Sequence, residues 1–194
     1  MFAKNAIIIS LKLFIITAVA ALCLAAVNMV TKPIIQKNSE ASEILAQQKV
    51  LQDAKAFKEV EAPQPVVSGV KTEKVNVGYD DDKVVGYAVT VVSDAGYGGK
   101  IRVIVGVKND LTVEKIEILE HSETAGLGAN ATKPKFSGQF EGKKGSFSVV
   151  KGSAKNVNDI SAISSATITS KAVTSCVNAA LVNAKELKSK GGAE

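Results

Sequence analysis

The run from Leu13 to Val30 contains 18 residues without a charge, and lysines flank it at Lys12 and Lys32. As a helix it spans about 27 Å, close to the thickness of a bilayer's hydrocarbon core. It therefore predicts one transmembrane helix over residues 13–31, after a short flank at residues 1–12. A cleaved signal peptide is the alternative, although the run is longer than the usual apolar region of such a peptide. Similar numbers of lysines on the two flanks leave the orientation open.

Charge and cysteine content exclude several functions for the rest of the chain. Removing Lys4, Lys12 and Lys32 from the 24 basic residues leaves 21, against 19 acidic residues that all follow Lys32. So balanced a composition does not predict a nucleic-acid-binding surface, which needs clustered basic residues. Cys23 lies in the apolar run and Cys176 far from it, so no intramolecular disulfide is expected. With a single histidine and no cysteine cluster, no metal site is expected.

The segment after the apolar run has a helical pattern. Ser39 can cap a helix that runs to about Val60, with Leu51, Phe57 and other apolar residues near one face. Pro63 and the proline two residues later then disfavour further helix. Residues 32–69 are therefore predicted to form an amphipathic stalk helix and a linker.

Between residues 70 and 120 the apolar period becomes that of extended chain, in segments rich in valine and isoleucine. Asp, Asn and Gly residues separate these segments, which predicts successive antiparallel hairpins. The predicted strands are residues 74–78, 83–93, 100–108 and 111–119, with a fifth short strand at 145–150.

A final helix is predicted over residues 169–188, because apolar residues form a stripe along it from Val173 to Leu187. A meander of strands covered by helices gives an α+β fold: an antiparallel sheet packed by helices, preceded by the transmembrane helix. The folded domain is expected to occupy residues 70–190.

Two segments are candidates for chemistry. The first is rich in hydroxyl groups and extends from Ile160 to Ser170, where the last helix begins. Ser164, Ser165 or Thr167 can simply cap the helix, since serine and threonine satisfy the free amides of a first turn. Those amides and the positive end of the helix dipole are also suited to bind a phosphate.

The second segment runs from His121 to Ala129 and contains Gly126 and Gly128. It can be a plain loop in which the glycines permit tight turns, because Gly-Leu-Gly alone is a weak signal for phosphate or ring binding. His121 is interpreted as a structural or solvent-facing residue, since no neighbour forms a catalytic pair with it.

Together these segments resemble the FMN-binding domain family. The resemblance rests on Glu123-Thr-Ala-Gly-Leu-Gly128, then Phe136-Ser-Gly-Gln-Phe-Glu-Gly-Lys143, then Ser164-Ser-Ala-Thr-Ile-Thr-Ser170, in this order and spacing. Within that family, a chain near 200 residues with one N-terminal apolar helix is most similar to the G subunits of Rnf ion-translocating oxidoreductase complexes. The C subunits of sodium-translocating NADH:quinone reductases are the second choice, because they are usually longer.

The resemblance implies that FMN is esterified through its phosphate to Thr167, by a flavin transferase that uses FAD. It also implies a set of residues around the cofactor: Ser164, Ser165, Ala166, Ile168, Thr169, Glu123, Thr124, Gly126, Leu127 and Gly128. The retained phosphate charge would lie beside the first amides of the helix, and Leu127 would offer the flavin an apolar surface. Glu123 either orients Thr124 or is a solvated acid.

The match to the family's Ser/Thr-Gly-Ala-Thr motif has two departures. Ser165 occupies the position of the family's glycine, and a positive φ there would strain a serine. Ser161 stands where the family has an acid, six residues before the threonine, although Asp159 is close enough to replace that acid.

The resemblance also implies a function. FMN would carry electrons between neighbouring membrane subunits of an Rnf-type complex that couples electron flow between ferredoxin and NAD to ion export. No residue of this chain is expected to act as a catalytic nucleophile or base on a substrate. The chain is expected in the cell (inner) membrane, crossing once, with its soluble domain on the extracytoplasmic side. A non-redox envelope-binding domain is the alternative without a flavin.

Overall fold

The computed structural model describes residues 2–63 and 69–190 of the chain. They divide into two compact units, with the boundary between Ser42 and Glu43. The first helix, α1, runs from Phe2 to Val50 and has one proline inside it, Pro33. Its segment Ile7–Val50 contains the one stretch in the described residues that is long and apolar enough to cross a membrane. The large apolar side chains of that stretch are exposed, as a membrane anchor requires.

The helix predicted from Ser39 to about Val60 is wrong at both ends. Ser39 lies inside the continuous helix α1, and that helix already ends at Val50. The strand β1, Ala56–Val60, takes the place of the last predicted helical turns. Its backbone pairs antiparallel with the next strand, from Ala56 opposite Tyr79 to Val60 opposite Val75. The apolar spacing of this short segment fits a helix and an edge strand equally well, and a pairing partner decided the outcome.

The sheet has five antiparallel strands in sequence order, which confirms the predicted meander and the α+β class. Its further strands are β2 (Val70–Asp80), β3 (Lys83–Gly96), β4 (Gly99–Lys108) and β5 (Val113–His121). The predicted fifth strand is present over three residues as β6 (Ser148–Val150), which pairs in parallel with β7 (Asp159–Ser161). Strand β7 was not predicted.

One face of the sheet packs against the last helix, α3, which runs from Thr167 to Ser189. Alternate residues of the central strands, such as Val89, Val91 and Val105, form the main core with Val173 and other apolar residues of α3. Three phenylalanines from the segment after β5 complete this core through edge-to-face contacts, Phe136 on Phe140 and Phe140 on Phe147. Phe136 belongs to the short helix α2, Pro134–Ser137.

The opposite face is covered by the C-terminal end of α1, within the second unit. Ala46 and Val50 form a smaller apolar cluster there with Ala88 and Ile104. The helix lies directly on β4, because a Cβ added to Gly106 would stand only 1.8 Å from the carbonyl oxygen of Val50. Sheet strands buried on both faces explain why the central strands are almost uninterrupted runs of apolar residues.

Candidate functional site

A cleft of about 410 Å³ lies where α3 begins. It brings together nine of the eleven residues named from the sequence, although the two segments are 36 positions apart from Gly128 to Ser164. These nine are Glu123, Thr124, Leu127, Gly128, Ser165, Ala166, Thr167, Ile168 and Thr169. The other two, Ser164 and Gly126, line a second cleft of about 720 Å³ that shares Leu127 and Ser165 with the first.

No side chain caps the first turn of α3. The N-cap residue is Ala166, whose methyl group cannot accept a hydrogen bond, and Thr167 is the first helical residue. The first three helical amides therefore have no partner within the helix, whereas the amide of Ser170 donates to the carbonyl of Ala166. The hydroxyls of this segment thus leave the amides of Thr167, Ile168 and Thr169 at the cleft for an acceptor on a ligand.

The hydroxyl of Ser170 shapes the approach to the helix instead. It donates to the carbonyl of Ala166 at 2.8 Å and accepts the amide of Ile163 at 3.0 Å. The first of these bonds is buried and the second is partly buried, and together they fold the segment 163–170 onto itself. Thr167 is consequently presented at the surface of the cleft.

The two threonines of the first turn differ in availability. Thr167 is half-buried and lines the cleft. Thr169 is only 1% exposed, and its hydroxyl donates to Oε2 of Glu123 at 2.8 Å. Of these two threonines, Thr167 is the one that combines an accessible hydroxyl with a position beside the free amides.

Glu123 connects the loop after β5 to two other segments. Besides accepting from Thr169, it accepts the amide of Gly98 through Oε1 at 3.1 Å, and its own amide donates to Nδ1 of His121 at 3.2 Å. A Cβ on Gly128 would stand 2.2 Å from Oε2 of Glu123, so only glycine fits beneath this carboxylate. Among the described residues the carboxylate of Glu123 bonds Thr169 and Gly98 rather than Thr124, so it neither orients Thr124 nor is simply a solvated acid. Its contact with a flavin stays a prediction.

Ser165 has a positive φ of +60°, the strained conformation considered from the sequence for a serine at the position of the family's glycine. This is the left-handed region, which glycine enters without steric cost and serine does not. The chain turns sharply at Ser165, and the helix then begins at Thr167.

Asp159 does not reach the first cleft. Its carboxylate accepts from the amides of Lys155 and Asn156 and from the side chain of Asn156, at 2.8–3.1 Å. These amide bonds hold the pKa of the Asp159 carboxyl below its ordinary value. Asp159 closes its own loop, so it does not replace the acid that the family has at the position of Ser161. Ser161 lies on the second cleft, where Gln139 bonds both its amide and its carbonyl.

Tyr97 lines the first cleft and was missed from the sequence. It forms the tip of the β3–β4 hairpin with Gly98, and 74% of its surface is exposed. An aromatic residue in a glycine-rich turn was the available signal, because exposed turns rarely need a large apolar side chain.

These residues fit a phosphate-bearing flavin. The unpartnered amides of the first helical turn can receive the phosphate, and the apolar side chains of Leu127 and Ile168 can face a ring. The described residues contain no group of three or more His, Cys, Asp or Glu side chains that could hold a metal ion.

Residues 96–182 match the model of the FMN-binding domain family, a range that includes Tyr97 and both candidate segments. Among solved structures, NqrC from Shewanella oneidensis has the same fold, with a TM-score of 0.55 and 23% identity over 72% of this chain and 71% of that one. The C subunit of the Na⁺-translocating NADH-quinone reductase from Parabacteroides distasonis has a TM-score of 0.50 and 30% identity, over 59% of this chain and 62% of that one.

Relatives that match this chain over most of its length define its family more narrowly than the domain does. The chain is 40% identical to the G subunit of the Na⁺-translocating ferredoxin:NAD⁺ oxidoreductase complex of Acetobacterium woodii, over 88% of this chain and 87% of the relative. It is 34% identical to the G subunit of the proton-translocating ferredoxin:NAD⁺ oxidoreductase complex of Clostridium ljungdahlii, over 84% and 83%. Similarity of this extent, together with the FMN-binding domain, shows that the chain belongs to the family of G subunits of ion-translocating oxidoreductase complexes.

Proposed function

We propose that the chain carries FMN covalently, through a phosphodiester bond to Oγ1 of Thr167, and passes electrons between other subunits of a membrane complex. The observation that carries this proposal is the pairing of an accessible Thr167 hydroxyl with a helix start that lacks any side-chain cap. A phosphate held there would accept hydrogen bonds from amides that otherwise have no protein partner.

Attachment is a phosphoryl transfer from FAD, catalysed by a flavin transferase. Oγ1 of Thr167 forms a bond to the phosphorus of the FMN half, the pyrophosphate bond of FAD breaks, and AMP leaves. The hydroxyl proton passes to a base of the transferase. This chain contributes the nucleophile and the amides of Ile168 and Thr169, which would stabilise the phosphate charge.

Bound FMN supplies one- and two-electron redox chemistry, and the chain positions it. The cleft has no pair of residues arranged as nucleophile and base among the described side chains, and Glu123 is engaged with Thr169 and Gly98. The chain is therefore suited to an electron relay rather than to the conversion of a substrate.

The apolar stretch of α1 would anchor the chain in the cell membrane with a single crossing, and the FMN domain would lie on the extracytoplasmic side. A covalent bond suits that location, since a flavin lost outside the cytoplasm is difficult to replace. By analogy with its relatives, the chain would assemble with other membrane subunits that couple ferredoxin and NAD⁺ to the export of Na⁺ or protons.

Mass spectrometry and in-gel fluorescence test the attachment. Full-length protein coexpressed with a flavin transferase should gain the mass of FMN less one water, and Thr167→Ala should abolish both this increment and the fluorescent band. Thr124→Ala is the matched control, because Thr124 is an exposed threonine on the same cleft and should keep the label. A fluorescent Thr167→Ala protein would overturn the assignment.

Orientation is tested with Ser153→Cys, which places a thiol in the exposed loop between β6 and β7. A membrane-impermeant maleimide should label this variant in intact cells. The wild-type chain should react far less, because its Cys176 is buried and its Cys23 lies in the apolar stretch of α1, which would be within the membrane. Labelling that appears only after the cells are lysed would place the domain in the cytoplasm.

A further inference from the structure

Tyr97 lines the first cleft, and most of its side chain is exposed. Three large apolar side chains that line this cleft are exposed, Tyr97 at 74%, Ile168 at 52% and Leu127 at 43%. Exposed apolar residues are ordinary when scattered singly, but a group of them at one cleft indicates a binding surface.

The hairpin tip that carries Tyr97 is fixed in place. The amide of Gly98 donates to Glu123, and a Cβ on Gly98 would stand 2.1 Å from the carbonyl oxygen of Ser122. Gly96 is equally confined, with its added Cβ 2.3 Å from the carbonyl oxygen of Gly99. The tip therefore packs on the loop that contains Glu123, and Tyr97 is exposed without being free to move away.

We propose that Tyr97 is a positioning residue that packs its ring against the isoalloxazine of the flavin. This inference rests on the proposed function, because a flavin bonded to Thr167 is what brings an aromatic ring into this cleft. Flat aromatic groups stack with offset or edge contacts, and such pairs add to the stabilisation from buried area alone. Leu127 and Ile168 then supply apolar contacts to the ring, so the flavin ring lies in the first cleft and not in the second.

Full-length protein labelled with FMN tests this inference, with visible circular dichroism and fluorescence anisotropy decay of the flavin as readouts. Tyr97→Ala should reduce the population of immobilised flavin relative to mobile flavin by about two- to tenfold, the range expected for loss of an aromatic pair. Tyr97→Phe keeps the ring and should retain the dichroism and the slow anisotropy decay. It should nevertheless raise the fluorescence yield, because the phenol that quenches an excited flavin is gone.

Val157→Ala is the matched control, since Val157 is 76% exposed and lines neither cleft. It should leave all three signals unchanged. The intact mass distinguishes failure of the attachment to Thr167 from failure of the inference about Tyr97. An unlabelled wild-type chain would overturn the attachment itself. A fully labelled Tyr97→Ala chain with unchanged dichroism and anisotropy would overturn the role of Tyr97 alone. If Tyr97→Ala is not labelled, Tyr97→Phe becomes the test. Loss of the flavin dichroism in that variant would overturn the role of Tyr97.

Discussion

The hydroxyl of Thr169 donates a 2.8 Å hydrogen bond to the carboxylate of Glu123, joining the first turn of α3 to the loop that follows β5. The other oxygen of the same carboxylate accepts the amide of Gly98 at the β3–β4 hairpin tip. One side chain therefore connects three segments that lie far apart in sequence, and these segments form the walls of the cleft beside Thr167.

Replacing Glu123 with alanine should destabilise the fold, because it removes the acceptor of the Thr169 hydroxyl, which is buried. Leaving a buried donor unsatisfied costs about 1–3 kcal/mol. Urea denaturation followed by circular dichroism would measure this loss. Glu120→Ala is the control: Glu120 is exposed, and its ion-pair partner among the described residues is Lys100 at 3.9 Å. Its loss should therefore be within about 0.5 kcal/mol. Equal effects of the two substitutions would contradict the connecting role of Glu123.

Ser165→Gly should stabilise the protein. Serine at a φ of +60° has a conformational cost that glycine avoids, and relieving it should exceed the added chain entropy of glycine by about 0.5–1 kcal/mol. Ser164→Gly is the neighbouring control, since Ser164 is exposed and its φ is not positive. That change should lower stability by about 0.5–1 kcal/mol, because only the entropic cost remains. Thermal unfolding of both variants would show shifts of opposite sign; a fall in melting temperature for Ser165→Gly would contradict the argument.

The sequence predicts those parts of the structure that depend on interactions between residues close together in the chain. Strands β2 to β5 were predictable because valine-rich segments alternate with turn residues along the chain itself. Strand β1 was not, since Phe57 and Val60 fit a helical stripe as well, and only pairing with β2 distinguishes the two. Both segments of the site were predictable, one from its clustered hydroxyl groups and the other from its two glycines. The hydrogen bond between Glu123 and Thr169 joins residues 46 positions apart, and no local pattern in the sequence predicts such a pairing.

Stability should depend on the ionisation of Asp159 in acid. The pKa of this carboxyl is lowered from its ordinary value of 3.8, chiefly by the amides of Asn156 and Lys155. A carboxyl with a lowered folded-state pKa contributes stability that is fully present above the ordinary pKa and is lost as the pH falls through the folded-state pKa.

The difference in urea midpoint between wild type and Asp159→Asn should therefore be constant near neutral pH and disappear in acid. Asp94→Asn, at an exposed position in the β3 end, provides the comparison and should change the midpoint little at either pH. A difference for Asp159→Asn that persists unchanged below the folded-state pKa would show that its charge has no part in holding the loop.

The contact between Gly106 and Val50 should be the most sensitive to an added methyl group. A Cβ at Gly106 would stand 1.8 Å from the carbonyl oxygen and 2.5 Å from the carbonyl carbon of Val50, so Gly106→Ala must push the end of α1 away from the sheet. Overpacking of this kind costs about 1–3 kcal/mol and occasionally more, and backbone atoms cannot rotate aside as a side chain does.

Gly138→Ala is the matched control, because Gly138 has helical dihedral angles and an added Cβ meets nothing within 4 Å. That change should be neutral or should stabilise the protein by about 0.4–1 kcal/mol, because alanine lowers the conformational entropy of the unfolded chain. Urea denaturation of both variants measures the contrast, and limited proteolysis should cut Gly106→Ala earlier near residues 43–51. If Gly106→Ala unfolds at the wild-type urea concentration, the end of α1 does not rest on β4 in solution, and the second face of the sheet must be covered in another way.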